Sequence, residues 1–101
     1  MKIKVLSKRA GEPPRSVWVE NSLENLQKHV GGYIETVTLA DDLVIICNEE
    51  GRLLDPPHNC NICGRDFVGD IIICGVKGDE FADVPATWDT LKIVFRDLFE
   101  V

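Results

Sequence analysis

The residues best suited to chemistry lie in one short stretch with the sequence HNCNICG. Two cysteines three positions apart, followed by glycine, form half of a zinc knuckle, because such a turn lets both thiolates face one ion. A structural zinc site needs four ligands. The fourth would have to come from one of the two other cysteines, each of which lies inside an apolar run. One hypothesis is therefore a zinc site built on His58, Cys60 and Cys63, and the other is free cysteines that behave as small hydrophobes.

Catalytic machinery is not recognisable in the rest of the chain. The two histidines, His29 and His58, belong to no Ser-His-Asp arrangement, and the sequence contains no phosphate-binding loop, dinucleotide fingerprint or HExxH motif. We therefore expect a protein that is not an enzyme and that carries no cofactor.

Residues suited to binding a ligand fall in loops at the ends of the apolar runs, where a rigid sheet usually presents them. Isolated arginines offer forked donors for phosphates, and an aromatic ring outside the core can stack on a flat ligand. The candidate ligand-binding residues are Asn48, Arg52, Asn59, Arg65, Phe81 and Arg96. Each also has a local explanation: turn formation for the asparagines, solubility for the arginines and core packing for the phenylalanine.

The charge of the chain is unevenly distributed. The net charge is −6, yet residues 1–15 carry five basic side chains against one acidic, and residues 16–101 carry six basic against sixteen acidic, a balance of −10. So acidic a body argues against direct binding of nucleic acid, which needs clustered lysines and arginines. The charge is compatible with a basic partner protein or with simple solubility.

Membrane and secretory segments are not expected. The chain has no run of about 18 apolar residues, and its N-terminus lacks the apolar stretch of a secretory signal. We therefore expect a cytoplasmic protein.

Hydrophobic periodicity predicts an α+β fold in a single domain, residues 1–101, with a mostly antiparallel sheet of about five to six strands. A short helix is expected at 22–30, where Asn21 and Glu24 resemble a capping box. Strands are expected at 2–6, 15–20, 33–39, 43–47, 52–54 and 70–76.

The remaining segments are interpreted as loops and a closing helix. Residues 60–69 contain two glycines and little apolar content, and residues 77–86 are polar, so both are expected to be loops. A C-terminal helix is expected at 87–99, because Thr87 can cap it and an apolar stripe follows. The same residues also alternate in a way that fits a strand.

Several motifs together resemble domain-of-unknown-function family 3846, whose members are small proteins of phages, plasmids and gut bacteria. The motifs are VGGYIE at 30–35, NEEGRLL at 48–54 and GDII at 69–72, in that order along the chain. This resemblance implies a compact α+β domain from a mobile element and implies no activity. The family pattern does not require cysteines at positions 60 and 63.

A more remote similarity connects the chain with phage Thoeris anti-defence proteins, which are oligomers that bind cyclic ADP-ribose-type signals without cleaving them. It implies a homo-oligomer that holds a nucleotide in loops at a subunit interface. We therefore expect a non-catalytic binding protein that sequesters a nucleotide-derived signal. The alternatives are an acidic interaction module that mimics the charge of DNA and occupies a host protein, and a small structural zinc-knuckle domain.

Overall fold

The computed structural model describes residues 1–51, 57–62 and 64–85. These residues form one helix and eight strands. In chain order the elements are β1 Lys2–Lys8, β2 Arg15–Glu20, α1 Leu23–Val30, β3 Ile34–Ala40, β4 Leu43–Asn48, β5 His58–Ile62, β6 Arg65–Val68, β7 Ile71–Lys77 and β8 Glu80–Ala82.

The strands form a main sheet and a separate hairpin. The main sheet has the order β2-β1-β7-β4-β3, with β8 paired to β7, and every pairing in it is antiparallel. Strands β5 and β6 form a two-stranded antiparallel sheet. The expectation of a mostly antiparallel sheet with one short helix is confirmed.

The two central strands are apolar along their length because both of their faces are covered. On one face, Leu26 and Val30 of α1 pack with Ile46 of β4 and Ile72 of β7. On the other face, the β5–β6 hairpin covers the alternate residues of the same strands. The second core cluster includes Ile45, Ile73, Cys60, Ile62 and Phe67. A fully buried side chain of this size stabilises the fold by about 1.5–3 kcal/mol. Because α1 covers one face and the hairpin covers the other, every position of the runs LVIIC and IIIC is buried and favours an apolar residue.

Helix α1 begins one residue later than the capping-box pattern indicates. The N-cap is Ser22, whose hydroxyl accepts a hydrogen bond from the Asn25 backbone N–H. Asn21 instead donates its carboxamide to the Phe81 carbonyl. The helix ends at Gly31, which adopts the left-handed conformation with φ of 80°, a conformation that costs glycine little.

The expectation of a loop at 60–69 is wrong, because most of this segment belongs to the β5–β6 hairpin. Its reversal is closed by Asn61, which accepts a hydrogen bond from the Gly64 N–H and donates one to Asp66. Gly64 takes the left-handed conformation that this turn requires. Polar and apolar residues alternate along the hairpin: the polar ones face solvent, and Ile62 and Phe67 point into the core.

The expectation of a loop at 77–86 needs a smaller correction, since it contains the short strand β8. The strand expected at 52–54 and the helix expected at 87–99 lie outside the described residues. Within the described part, no helix is long and apolar enough to cross a membrane.

Candidate functional site

The six predicted ligand-binding residues do not form one site. Asn48, at the end of β4, holds local structure: its carboxamide donates to the Val30 carbonyl at 3.1 Å and accepts from the Glu50 N–H at 2.7 Å. It therefore ties the C-terminal end of α1 to the turn after β4. Arg52 and Arg96 lie outside the described residues.

Asn59 is completely buried and links two parts of the fold. Its side-chain nitrogen donates to the Lys8 carbonyl at 2.8 Å and to the Gly69 carbonyl at 2.6 Å. Among the residues that the structure describes, its oxygen finds no hydrogen-bond partner. The side chain thus fastens the β5–β6 hairpin to the end of β1 and is not accessible to a ligand.

Arg65 is occupied by neighbours on two sides. Its Nη2 lies 2.5 Å from Glu35 Oε1, and its guanidinium lies 5.5 Å from the centre of the Phe67 ring. Arg65 and Asn48 do line the same cavity, of about 420 Å³, but four carboxylates share that lining. They are Glu35, Glu49, Glu50 and Asp66. We name this cavity the acidic cavity; its charge does not favour a phosphate.

Phe81 lies apart from these residues. It is on β8, where its ring is partly buried against the core cluster beneath α1. Its position is explained by packing, which is the local explanation given by the sequence.

The residues proposed as zinc ligands occupy different environments. The imidazole of His58 is exposed and lies 3.6 Å from Asp66 Oδ1, whereas the Cys60 thiol is fully buried in the core beneath the hairpin. Cys63 lies outside the described residues. Among the residues that the structure does describe, no group of three or more His, Cys, Asp or Glu side chains is arranged to hold a metal ion.

The three described thiols are poor nucleophiles. Burial raises the pKa of Cys74 to about 12. Burial also raises the pKa of Cys60, and the charge of Lys8 offsets that effect in part. For Cys47, burial and then the Glu35 carboxylate raise the pKa. Since the thiolate is the reactive form, these cysteines are suited to the core.

A second cavity, between the β1–β2 turn and α1, has the opposite character. It has a volume of about 500 Å³ and continues into a neighbouring hollow of about 280 Å³. Together they are lined by the basic side chains Lys2, Arg9, Arg15, Lys28 and His29, the acidic side chains Glu12, Glu20 and Asp70, and apolar residues that include Val17, Val19 and Ile72. We call this cavity the basic cleft.

Local structure brings these residues together. The β1–β2 turn is closed by a hydrogen bond from the Glu12 N–H to the Arg9 carbonyl, with Gly11 in the left-handed conformation. Arg15 then starts β2 opposite Ser7 of β1. Asn25 ties α1 to the other end of β2 by donating to the Glu20 carbonyl at 3.1 Å. Helix α1 therefore lies in contact with β2, and residues of its last turn line the cleft.

The carboxylates of the basic cleft already have partners. Glu12 lies 3.4 Å from Arg15 Nη2, and Asp70 accepts a hydrogen bond from the Ala10 N–H at 3.2 Å. Glu20 accepts one from the N-terminal ammonium group, and this hydrogen bond, followed by the charge of the group, holds the pKa of Glu20 below its ordinary value.

Several basic side chains of the cleft remain available. Within the described part of the chain, Arg9, Lys28 and His29 form no ion pair. Lys28 and His29 lie in the last turn of α1, where a positive side chain also complements the helix dipole. A cavity with unpaired cations, apolar walls and occupied carboxylates is suited to an anion.

Sequence reasoning missed the basic cleft although a signal for it was present. The excess of basic residues in 1–15 is visible in the charge distribution. What it does not reveal is that the helix would place two further basic residues beside them.

The comparisons with known proteins give a family and no activity. A family model described as "Domain of unknown function (DUF3846)" matches residues 1–95. The chain belongs to this family, which confirms the resemblance found in its motifs. Neither the curated proteins nor the solved structures compared with the chain gave a match.

Proposed function

We propose that this DUF3846 domain binds a small phosphate-bearing ligand, of nucleotide size, in the basic cleft. The observation that carries the proposal is a set of basic side chains that form no ion pair within the described residues: Arg9 and His29 line a cavity of about 500 Å³, and Lys28 lines the adjoining hollow of about 280 Å³. Ligand cavities in proteins typically measure about 300–1,000 Å³. The volume therefore suits a nucleotide better than a free inorganic ion.

The cleft offers a different contact for each part of such a ligand. Guanidinium groups donate paired hydrogen bonds to phosphate oxygens, and Arg9, which forms no ion pair within the described residues, lines the cleft beside the β1–β2 turn. Val17, which is partly buried against the core, provides an apolar surface for a base or sugar. The proposal keeps the chemistry predicted from the sequence, in which an arginine binds a phosphate. It places that chemistry in the basic cleft and not at Arg65.

The proposal includes binding without turnover. The side chains around the cleft are mainly hydrogen-bond donors, and the described thiols are buried in the core with a raised pKa. Binding of this kind would sequester a nucleotide-derived signal, the anti-defence role implied by the remote resemblance.

Isothermal titration calorimetry against a graded set of ligands tests the proposal. We expect cyclic ADP-ribose or a cyclic dinucleotide to bind and uncharged adenosine not to bind, with affinity falling as salt is raised because exposed charges are screened. Chromatography of the recovered ligand should show it intact, and a cleaved product would contradict the non-catalytic part of the proposal.

A matched pair of arginine variants locates the site. Arg9→Ala should weaken binding about tenfold, the equivalent of about 1.4 kcal/mol. Arg65→Ala, which removes an arginine already paired with Glu35, should leave the affinity unchanged. Binding by none of the phosphate ligands, or equal losses in the two variants, would overturn the proposal.

A second candidate function is binding of a basic partner protein at the other end of the sheet. The β3–β4 turn approaches the end of β7 through a hydrogen bond from the Val76 N–H to the Asp42 carbonyl at 3.1 Å. This contact brings two exposed acidic turns together, with side chains Asp41, Asp42, Asp79 and Glu80. A pull-down from host lysate with these four residues neutralised would test it, since the captured protein should be lost.

A further inference from the structure

The basic cleft consists of two hollows that meet at four shared residues. The hollow of about 500 Å³ and the hollow of about 280 Å³ have in common the lining residues Ser7, Arg9, Asn25 and His29. We call these four residues the junction. From the junction the larger hollow extends along β2, and the smaller one extends toward the start of β7. A ligand held at the junction can therefore place one group in each hollow.

The charges that line each hollow outside the junction balance one another. Among the described residues, the larger hollow has two basic and two acidic side chains there, and the smaller hollow has one of each. They are Lys2, Arg15, Glu12 and Glu20 in the larger hollow, and Lys28 and Asp70 in the smaller one. The uncompensated positive charge in this part of the structure therefore lies at the junction, on Arg9.

The other junction residues add hydrogen-bond donors around that charge. His29 has an imidazole ring N–H and Ser7 has a hydroxyl group. The carboxamide of Asn25 has two N–H bonds, of which one is donated to the Glu20 carbonyl at 3.1 Å. A group that is bound here would be surrounded by donors from β1 and α1, which is the environment that a phosphate needs.

We infer, on the basis of the proposed function, that the ligand is a phosphodiester whose phosphate lies at the junction, with one uncharged group in each hollow. A diester phosphate carries a single negative charge, which matches Arg9. A terminal phosphate carries a charge of about −1.5 to −2 at neutral pH, and it would leave one of the two hollows empty.

The linings of the two hollows suit uncharged groups of different size. Val17 lines the larger hollow and Ile72 the smaller one, and the charges around them are balanced. Binding cavities typically measure about 300–1,000 Å³, so the larger hollow has room for a nucleoside. The smaller one, at about 280 Å³, suits a more compact group such as a sugar or a single base.

Calorimetry of the full chain with two adenosine ligands tests the inference. In adenylyl-3′,5′-adenosine the phosphate lies between two groups, and in adenosine 5′-monophosphate it lies at one end. We expect the diester to bind more tightly by on the order of tenfold, although its phosphate carries less charge. Equal affinities, or tighter binding of the monophosphate, would overturn the inference and leave the proposed function standing. Binding of neither ligand would overturn both.

Two replacements of Lys28 separate the volume of the smaller hollow from its charge. Lys28 is exposed and lines this hollow alone, so its replacement should leave the core intact, as circular dichroism can verify. Lys28→Trp fills the hollow and should bring the affinity ratio of the two ligands close to one. Lys28→Gln removes the same charge without filling the hollow and should preserve the ratio. A ratio that Lys28→Trp leaves unchanged would contradict a second group in this hollow.

Arg9→Gln tests the position of the phosphate. Because the phosphate of both ligands would lie at the junction, this variant should weaken the binding of both by a similar factor, measured by the same calorimetry. A loss confined to one ligand would contradict a shared phosphate position.

Discussion

The acidic cavity and the basic cleft each contain an arginine, and the surroundings of those arginines differ in every respect that matters for binding. Arg65 is held by Glu35 and lies against Phe67 in a cavity lined by four carboxylates. Arg9 has no ion pair within the described residues and lies with Lys28 and His29. The comparison shows that an arginine indicates an anion site only when its own neighbours leave its donors free.

The largest expected effect comes from reversing the charge of the basic cleft. Arg9→Glu combined with Lys28→Glu should weaken binding of a phosphate ligand on the order of 100-fold or more, because it removes two attractive charges and adds two repulsive ones. Calorimetry with the ligand identified for the wild type measures this loss. Arg65→Glu is the control, and a comparable loss in that variant would place the ligand in the acidic cavity.

A smaller effect on binding, but a large one on stability, is expected at the residue that connects the two regions. Asn59 joins the hairpin that carries Arg65 to the strand that leads to Arg9. Asn59→Ala should lower the free energy of unfolding by about 2–3 kcal/mol, since the buried Lys8 carbonyl and the partly buried Gly69 carbonyl lose their donor. Urea unfolding measures the change. A loss below about 0.5 kcal/mol, the size usual for surface substitutions, would show that water or rearrangement replaces these bonds.

The smallest expected effect concerns the acidic cavity alone. The Glu35 carboxylate is the second cause, after burial, of the raised pKa of Cys47. Glu35→Gln should therefore lower the pKa of Cys47, so that at a given alkaline pH more thiolate is present and alkylation is a few-fold faster. Mass spectrometry of the labelled peptides gives the rate, and the Cys60 and Cys74 peptides are internal controls. An unchanged rate at Cys47 would mean that burial alone sets its reactivity.

The parts of the fold that could be predicted are those fixed by local patterns. The uninterrupted apolar runs of β4 and β7 were enough to predict both as strands. The glycine after α1 marked the end of the helix. The β5–β6 hairpin was missed because its outward residues are polar and its inward residues are few, so that only docking on the sheet reveals the alternation.

The candidate site could be predicted only in its chemistry. Asn48 and Asn59 were selected because loop asparagines often bind ligands, yet their amides satisfy backbone groups within the protein. The cleft residues Arg9 and His29 lie 20 positions apart along the chain. They become neighbours because α1 packs on the sheet against β2, β4 and β7, and no local pattern encodes that packing.

The central claim, that an anionic ligand occupies the basic cleft, is tested most directly by an NMR titration of the ¹⁵N-labelled protein with a phosphate-bearing nucleotide. The account predicts that the largest shift changes fall on the backbone amides of residues 9–12, 15 and 25–29, around the cleft. The amide signals of residues 48–51 and 65–68, around the acidic cavity, should keep their chemical shifts. Shift changes concentrated in this second set, or none at saturating ligand, would contradict the account.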